Sequence, residues 1–490
     1  MNLEVPVGYK SILWNSSLSR REKYRRIYQV TDKLINKKMT FKFIDLFAGI
    51  GGFHHALRSL GGRCVLACEQ DSTCNTVYEA SFPQKQEGYE FVENIRSITR
   101  NNPDDPNDLK TELEISDAIP EHDVLCAGFP CQPFSKSGAQ EGTKDQTRGT
   151  LFHDIYQIVE AKKPPYLFLE NVRNLAGPRH HDTWETIVRL IKSAGYAMHD
   201  EPLIFSPHLL SKNRGGAPQV RDRVYILAIH ESVSGHTERL QKIVKFNEQL
   251  RSKKFKNPDT WSIRDHLYPD EKIPNLTDYL LNAEDEKYLE AWNDLVENLE
   301  QDDLPGFPIW AFAFLQEPDL DGALPNWKKD FLKKNRTFYT DNKAFIDSWL
   351  ERHQVLEFPH SRQKFEWQAR KHHPKRINPH GNRTVNDLVC QLRPSGIRVK
   401  PPSYLPALVA ITQTSVIGPE ARESSPESKR YRKLTPVEAG VLQGIPKRVF
   451  KRSARTKHAV VSDKDAYKQL GNAINVKLVR EVARYLLGQK

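Results

Sequence analysis

The stretch from Asp123 to Gly138, "DVLCAGFPCQPFSKSG", passes from an apolar run into a polar, glycine-containing loop. Cys131 stands at the change, with Pro130 before it and Pro133 two residues after. A thiol reacts as thiolate, and two prolines restrict the backbone that carries this one. At the carboxyl end of a strand, where open α/β sheets bind ligands, such a cysteine could serve as a nucleophile. The alternative is an inert cysteine packed in a turn. Glu170 and Asn171 close a second apolar run, "PYLFLENV" (165–172). A carboxyl placed there is partly desolvated, which raises its pKa and suits a donor to a ring nitrogen. Capping of the next helix is the competing role. In "QVRDRVYILA" (219–228), Arg221 and Arg223 have one residue between them. On an extended chain they share a face, and two guanidiniums there can grip an anion or a carbonyl oxygen. A salt-bridge pair at a sheet edge is the plainer alternative.

"FIDLFAGIGGF" (43–53) is an apolar run, a glycine-rich turn and the start of a helix. Glycine lets a backbone approach a ligand closely, and a helix N-terminus favours negative charge. The pattern indicates a nucleotide-like cofactor, and its spacing is not the Gly-x-Gly-x-x-Gly of dinucleotide sites. Glu69 ends the next apolar run, where a carboxylate can take both ribose hydroxyls or simply face water.

These residues need elements to hold them. The runs at 41–47, 63–69, 122–129, 165–172 and 223–229 read as buried strands separated by helical stretches, which predicts a parallel sheet covered on both faces. Residues 1–40 form a basic extension, with a helix expected from about Ser19 to Asn36. Residues 41–232 form an α/β catalytic domain. Residues 233–432 lose the alternation, hold six of the eight tryptophans, and read as a separate, irregular domain. Residues 433–490 regain pattern: a capped helix at 434–446, with Thr435 as N-cap and Glu438 at its third position, and a last helix with Ile474, Leu478, Val482 and Leu486 in line.

The 490 residues carry a net charge of +11, which suits a phosphate-bearing partner or a basic surface kept for solubility. No apolar run approaches the ~18 residues of a membrane span, and no signal peptide is read at the start; a cytoplasmic protein is expected. Of six cysteines, Cys64, Cys68 and Cys74 lack zinc spacing and read as small buried hydrophobes. No metal site is expected.

The ordered set "FIDLFAGIGGF", "GFPCQPFS", "FLENV", "QVRDRV", "LTPVEAGVLQGIP" and "QLGNAINV" resembles the DNA (cytosine-5) methyltransferases, of the prokaryotic restriction–modification type. The resemblance covers roughly 41–232 and 434–490. It implies an S-adenosylmethionine-dependent methyltransferase fold, a Rossmann-like doubly wound sheet, with 233–432 inserted as a target-recognition domain. It implies that a cytosine is swung out of double-stranded DNA, with Cys131 adding to ring carbon 6 and Glu170 holding ring nitrogen 3. Arg223, aided by Arg221, would bind the cytosine O2. For the cofactor it carries over Phe47, Ala48, Gly49, Gly51, Gly52, Glu69, Gln70, Asn94, Ile95, Leu151 and Asn472. The loop from Gln132 to Gly149 would close over the base, with Ser137 filling space in the duplex.

This chain departs from the family pattern at Gln70, at Asn94 (often Asp), at Ala473 (often Ser) and at Ala407 (often Thr). The basic run containing Lys371, Lys375 and Arg376 is expected on phosphates, and Arg393 or Arg398 near bases. A monomer is expected, protecting sites from a cognate nuclease without forming a stable complex with it. The competing readings are an RNA cytosine methyltransferase on the same fold and a catalytically silent DNA-binding relative.

Overall fold

The computed structural model describes residues 41–130, 150–252, 261–299, 304–315, 324–369, 383–403, 405–408, 415–422, 429–450 and 461–489. The basic extension and its expected helix, the 132–149 loop, and Lys371, Lys375 and Arg376 lie outside the described residues. Contacts group the described chain into two compact units. One runs to Ile204 and adds Val224–Phe246 and the residues from Val479 onward; the other holds Phe205–Arg223 and Asn247–Leu478.

The first unit is built on an eight-stranded sheet. Its strands are β1 (Phe41–Leu46), β2 (Gly62–Cys68), β3 (Glu90–Val92), β4 (Val124–Gly128), β5 (Tyr166–Val172), β6 (Tyr196–Met198), β7 (Leu203–Phe205) and, after the two-residue β8 (Gln219–Val220), β9 (Arg223–His230). The order is β3-β2-β1-β4-β5-β9-β6, with β7 also on β9. The pairs β2–β3, β1–β2, β1–β4 and β4–β5 are parallel, and β6 runs antiparallel to β9. The parallel strands are mostly apolar because both of their faces are covered: Ile44, Leu46, Leu125, Ala127, Leu167 and Leu169 lie in one core with Ile155 and Ile158 of α2 (Leu151–Lys162).

Chain order reverses between β1 and β4, since β2 and β3 lie to one side and β5 to the other. Crevices for ligands open beyond the carboxyl ends of strands at such a reversal. The loop after β1 leads into α1 (Gly52–Arg58), and the loop after β4 leads to Pro130 and Cys131. Both expected chemical segments therefore start at the switch point.

The second unit holds a six-stranded sheet in a region whose sequence shows no repeating pattern. Its order is β10-β11-β13-β12-β15-β16, from Ile309–Trp310, Lys364–Trp367, Gly396–Lys400, Val389–Arg393, Val416–Ile417 and Arg432–Lys433; β14 (Leu405–Pro406) pairs with β8 apart from it. One core packs Trp292 of α3 (Ala283–Asn298) against Trp349 of α4 (Lys343–His353) and Phe365 of β11. The acidic look of α3 comes from its outer face alone, because Leu289, Trp292, Leu295 and Val296 are buried.

The predicted N-cap Thr435 is present at α5 (Pro436–Leu442) as part of a full capping box with Glu438, which does more than start a helix. Glu438 accepts from the Thr435 N–H at 2.8 Å and hydroxyl at 2.9 Å, and also from Nη1 and Nη2 of Arg432 at 3.0 and 2.9 Å. Asp270 takes the Nε of Arg432 at 2.8 Å and that of Arg422 at 3.1 Å. All four charged side chains are buried, and two guanidiniums balance two carboxylates. Removing one partner of such a set strands a charge out of water. Glu438→Ala is expected to lower unfolding free energy by about 3–5 kcal/mol, read as the urea midpoint of the intact protein; a shift under about 1 kcal/mol would show that the network contributes little.

The last predicted helix is in fact two, α6 (Asp463–Asn472) and α7 (Val476–Leu487). Ala473 adopts an extended ψ of 143°, and the Asn475 side chain accepts from the Leu478 N–H at 3.0 Å. An asparagine that bonds the backbone locally starts a helix more readily than it continues one. The in-line spacing of Ile474 with Leu478, Val482 and Leu486 crosses that break.

Candidate active site

The loop after β1 turns sharply. Phe47, Gly49 and Gly51 all have left-handed backbones, at φ of 56°, 55° and 82°. For glycine this conformation costs little, but for Phe47 it is sparsely populated and persists only when its surroundings enforce it. The Gly51 N–H closes the turn on the Ala48 carbonyl at 2.8 Å, and the Ala48 N–H is tied to Cys68 of β2 at 2.9 Å. A Cβ at Gly51 would stand 2.4 Å from the Phe82 ring, whereas one at Gly49 would meet nothing within 4 Å. The turn is thus braced from beneath at Gly51 and open at Gly49.

Glu69, just past β2, accepts from the Gly49 N–H and from the Asp71 N–H, both at 2.8 Å, one on each carboxylate oxygen. Each oxygen keeps further acceptor capacity, which fits a pair of vicinal hydroxyls. Asn75 fixes the Glu69 carbonyl at 3.1 Å from α8 (Ser72–Ser81), whose N-cap is Asp71. Neither Asp71 nor Asn75 was anticipated from the sequence, although an Asp three residues before a helical stripe is a readable cap signal. Gln70 is exposed and Ile95 buried. Asn94 caps the short helix Ile95–Thr99 by accepting from the Arg96 N–H at 3.0 Å, so its side-chain oxygen is engaged locally. Leu151 opens α2 behind the N-cap Thr150 and packs on the sheet core. These cofactor candidates come from strand ends and helix starts of the same unit; Asn472 belongs to the other one, exposed at the end of α6.

Glu170 is buried on β5 with 6% of its surface exposed, and it pairs in register with Gly128, the last residue of β4. A Cβ at Gly128 would lie 3.9 Å from Oε2 of Glu170, 4.0 Å from the Phe47 carbonyl oxygen and 4.0 Å from the Phe53 ring. The absent side chain brings the β1 turn and the Glu170 carboxyl to one small space. Asn171 ties β5 to this edge through a 2.9 Å bond to the Phe129 carbonyl. Cys131, Gln132 and Ser137 lie outside the described residues; Cys131 follows Gly128 by three positions.

Arg221 and Arg223 do not share one extended strand. β8 ends at Val220 and β9 begins at Arg223. Arg221 is buried, donating to the carbonyls of Leu408 at 3.2 Å, Gly471 at 2.8 Å and Ala473 at 2.7 Å. Arg223 is half-buried and donates to the Asp222 carbonyl at 2.9 Å. Arg221 lies in the two-residue link between β8 and β9 and acts as a clamp on the α6–α7 break, whereas Arg223 opens β9.

Asp45 was not singled out in the sequence. It lies in mid-β1 with no exposed surface, and among the described residues neither carboxylate oxygen has a hydrogen-bond partner. Burial pushes its carboxyl well above the ordinary carboxylate range, offset only in part by the His54 backbone amide, which closes no hydrogen bond to it. His54 bonds the Tyr78 hydroxyl at 2.7 Å and stacks on Phe82, beneath the turn. The unfolded chain ionises Asp45 near pH ~3.9, while the folded chain holds the proton to higher pH. Stability from this group is full below that pH and declines as pH rises towards the folded pKa. Asp45→Asn is therefore expected to gain on the wild type by up to ~1.4 kcal/mol per pH unit between pH 5 and 7 in urea titrations. A pH-independent difference would mean that the carboxyl ionises in the fold.

Among the described residues no group of His, Cys, Asp and Glu is placed to hold a metal ion, and no helix is long and apolar enough to cross a membrane. Cys64, Cys68 and Cys126 are buried free thiols, and burial raises all three.

A doubly wound sheet with a braced glycine turn, an acidic residue after β2 and a buried carboxyl at the switch point defines a methyltransferase-like catalytic unit. The profile of the C-5 cytosine-specific DNA methylases matches residues 41–488. The type II methyltransferase M.AluI of Cellulosimicrobium cellulans is 35% identical over 91% of this chain and 91% of its own. M.HhaI of Haemophilus parahaemolyticus is 35% identical over 49% of this chain and 61% of its own. The solved structure of S. pombe Dnmt2 methyltransferase aligns over 92% of this chain and 99% of its own, at 15% identity and a TM-score of 0.44. The chain belongs to the C-5 cytosine-specific DNA methylases and groups with the type II methyltransferases of prokaryotic restriction–modification systems.

Proposed function

We propose that the protein methylates carbon 5 of a cytosine that it swings out of double-stranded DNA, through a transient covalent bond to Cys131, with S-adenosylmethionine as donor. The observation that carries this reading is the meeting of Glu170, Gly128 and the Phe47 carbonyl at the carboxyl edge of β1, β4 and β5. A buried carboxyl there can hold one edge of an aromatic ring that has left its stack.

The residues fit the donor. Glu69 offers acceptor oxygens to two ribose hydroxyls, the Gly49–Gly52 turn admits a close neighbour, and Phe47, Gln70, Asn94, Ile95, Leu151 and Asn472 are proposed to complete its binding. When bound, the donor supplies an electrophilic methyl group. Cys131 acts as thiolate: its electron pair forms a bond to ring carbon 6, and the former double-bond pair moves to carbon 5. Glu170 donates to ring nitrogen 3 and offsets the charge that develops there. Arg223 holds the cytosine O2, with Arg221 positioning the segment behind it. Once carbon 5 carries the methyl group, loss of its proton returns a pair to the ring and expels the thiolate.

The unit that holds the six-stranded sheet supplies target recognition. The protein works in the cytoplasm as the protective half of a restriction–modification pair, alone on DNA rather than in a stable complex with the nuclease. Incubation with plasmid DNA and methyl-labelled S-adenosylmethionine should place label on carbon 5 of cytosine in one short sequence. Label confined to exocyclic nitrogens, or none on any duplex, would overturn the assignment.

A further inference from the structure

In the second unit, β11, β13 and β12 lie side by side. β11 is parallel to β13, and β12 forms a hairpin with it across Pro394 and Ser395. Alternation along the strands sends Phe365, Trp367, Leu392, Ile397 and Val399 into the core. The opposite face carries Lys364, Glu366, Gln391, Arg393, Arg398 and Lys400, all half-buried. Four cations thus share a face with one carboxylate.

That carboxylate is placed with care. Register sets Glu366 beside Arg398, and Gln391 beside Arg398 from the other side. Oε2 of Glu366 accepts from the Arg398 Nε at 2.7 Å and from the Arg393 Nη2 at 2.9 Å; its other oxygen accepts from Gln368. Burial alone would raise the Glu366 carboxyl, yet Arg398 and Arg393 hold it below its ordinary value. Burial and the neighbouring Arg398 lower the Lys400 ammonium and the Arg393 guanidinium. The Arg398 fork is therefore held by its inner nitrogen, and among the described residues Glu366 takes no hydrogen bond from its two terminal nitrogens.

Two ligand chemistries offer paired acceptors to such a fork: a phosphate, and the O6/N7 edge of guanine. They differ in what they need from Glu366. A phosphate is attracted by charge, and a carboxylate within the grip repels it. A base edge is neutral, so recognition depends on the angle of the fork rather than on net charge. We infer that Glu366 is a positioning residue that holds Arg398, with Arg393 beside it, to read a guanine of the target sequence in the major groove. The inference rests on the DNA-methylating function proposed above and adds the specificity device.

The test uses the full-length protein and the target sequence found by mapping its own methylation. Duplexes carry 7-deazaguanine in place of one target guanine at a time, which removes N7 and leaves the phosphates intact. The wild type should lose roughly 10- to 100-fold in kcat/KM at one guanine. Arg398→Lys and Glu366→Gln should be indifferent to that replacement. They should also methylate sites changed at that base pair about as well as the original, with the loss in KM rather than kcat. Salt titrations separate the other source: base selection kept in both variants, with Arg398→Ala reducing the salt slope by about one, would mean a phosphate grip and would overturn the inference. Absence of methylation by the wild type itself would instead reject the underlying function, so the two failures are distinguishable.

Discussion

Cys131→Ala is expected to abolish methyl transfer, by at least ~10⁴-fold in kcat, while cofactor binding stays within about twofold of the wild type. Cytosine carbon 5 is too weak a nucleophile to take a methyl group unaided, and only addition at carbon 6 raises its electron density. An alanine leaves no atom to add, so the loss falls wholly on the chemical step. Cys131→Ser should be nearly as inactive, because a hydroxyl is far less ionised than a thiol near neutral pH. A duplex containing 5-fluorocytosine gives a second readout. Fluorine cannot leave as the proton does, so the wild type should be trapped in a complex that survives denaturing electrophoresis, and Cys131→Ala should give none. Turnover within tenfold of the wild type, or a trapped complex without the thiol, would remove Cys131 from the mechanism.

Glu170→Gln is expected to lower kcat by about 10²- to 10³-fold with little change in cofactor affinity or folding stability. The side chain keeps its size on β5, facing the space left by Gly128, and an amide can still offer a hydrogen bond to ring nitrogen 3. What it cannot do is change its protonation as charge develops on the ring. Trapping on 5-fluorocytosine DNA should become slow rather than absent, which separates this variant from Cys131→Ala. Stopped single-turnover assays with saturating cofactor would show whether the loss is in chemistry. Should KM for DNA rise while single-turnover rates hold, Glu170 would be a binding residue only.

Five strands of the first sheet could be read from the sequence because they stand as long, mostly apolar runs; β3, β6 and β7, of three residues each, could not, and the antiparallel pairing of β6 with β9 corrects the expected all-parallel sheet. The capping box at Thr435 and Glu438 was equally legible, since its partners lie three residues apart. The core of the second unit was not, because its short strands alternate and its pairings join distant segments: Phe365 meets Ile397, and Val416 meets Lys433. Asp45 escaped notice for a related reason. Within "FIDLF" it resembles any acid near a turn, and only the covering of both sheet faces reveals a carboxyl with no exposed surface and, among the described residues, no hydrogen-bond partner.

Residue types and motif order alone determined the family chemistry: a strand-end thiol, a carboxyl after "YLFL", a glycine turn and a basic chain. Those signals are local, carried by neighbours along the chain. The tertiary structure decided which of them share a place. Register put Glu170 opposite Gly128, packing gave Arg221 to three backbone carbonyls, and strand pairing set Glu366 against two arginines. Each of these depends on contacts between residues far apart in sequence, whose energies no local pattern encodes.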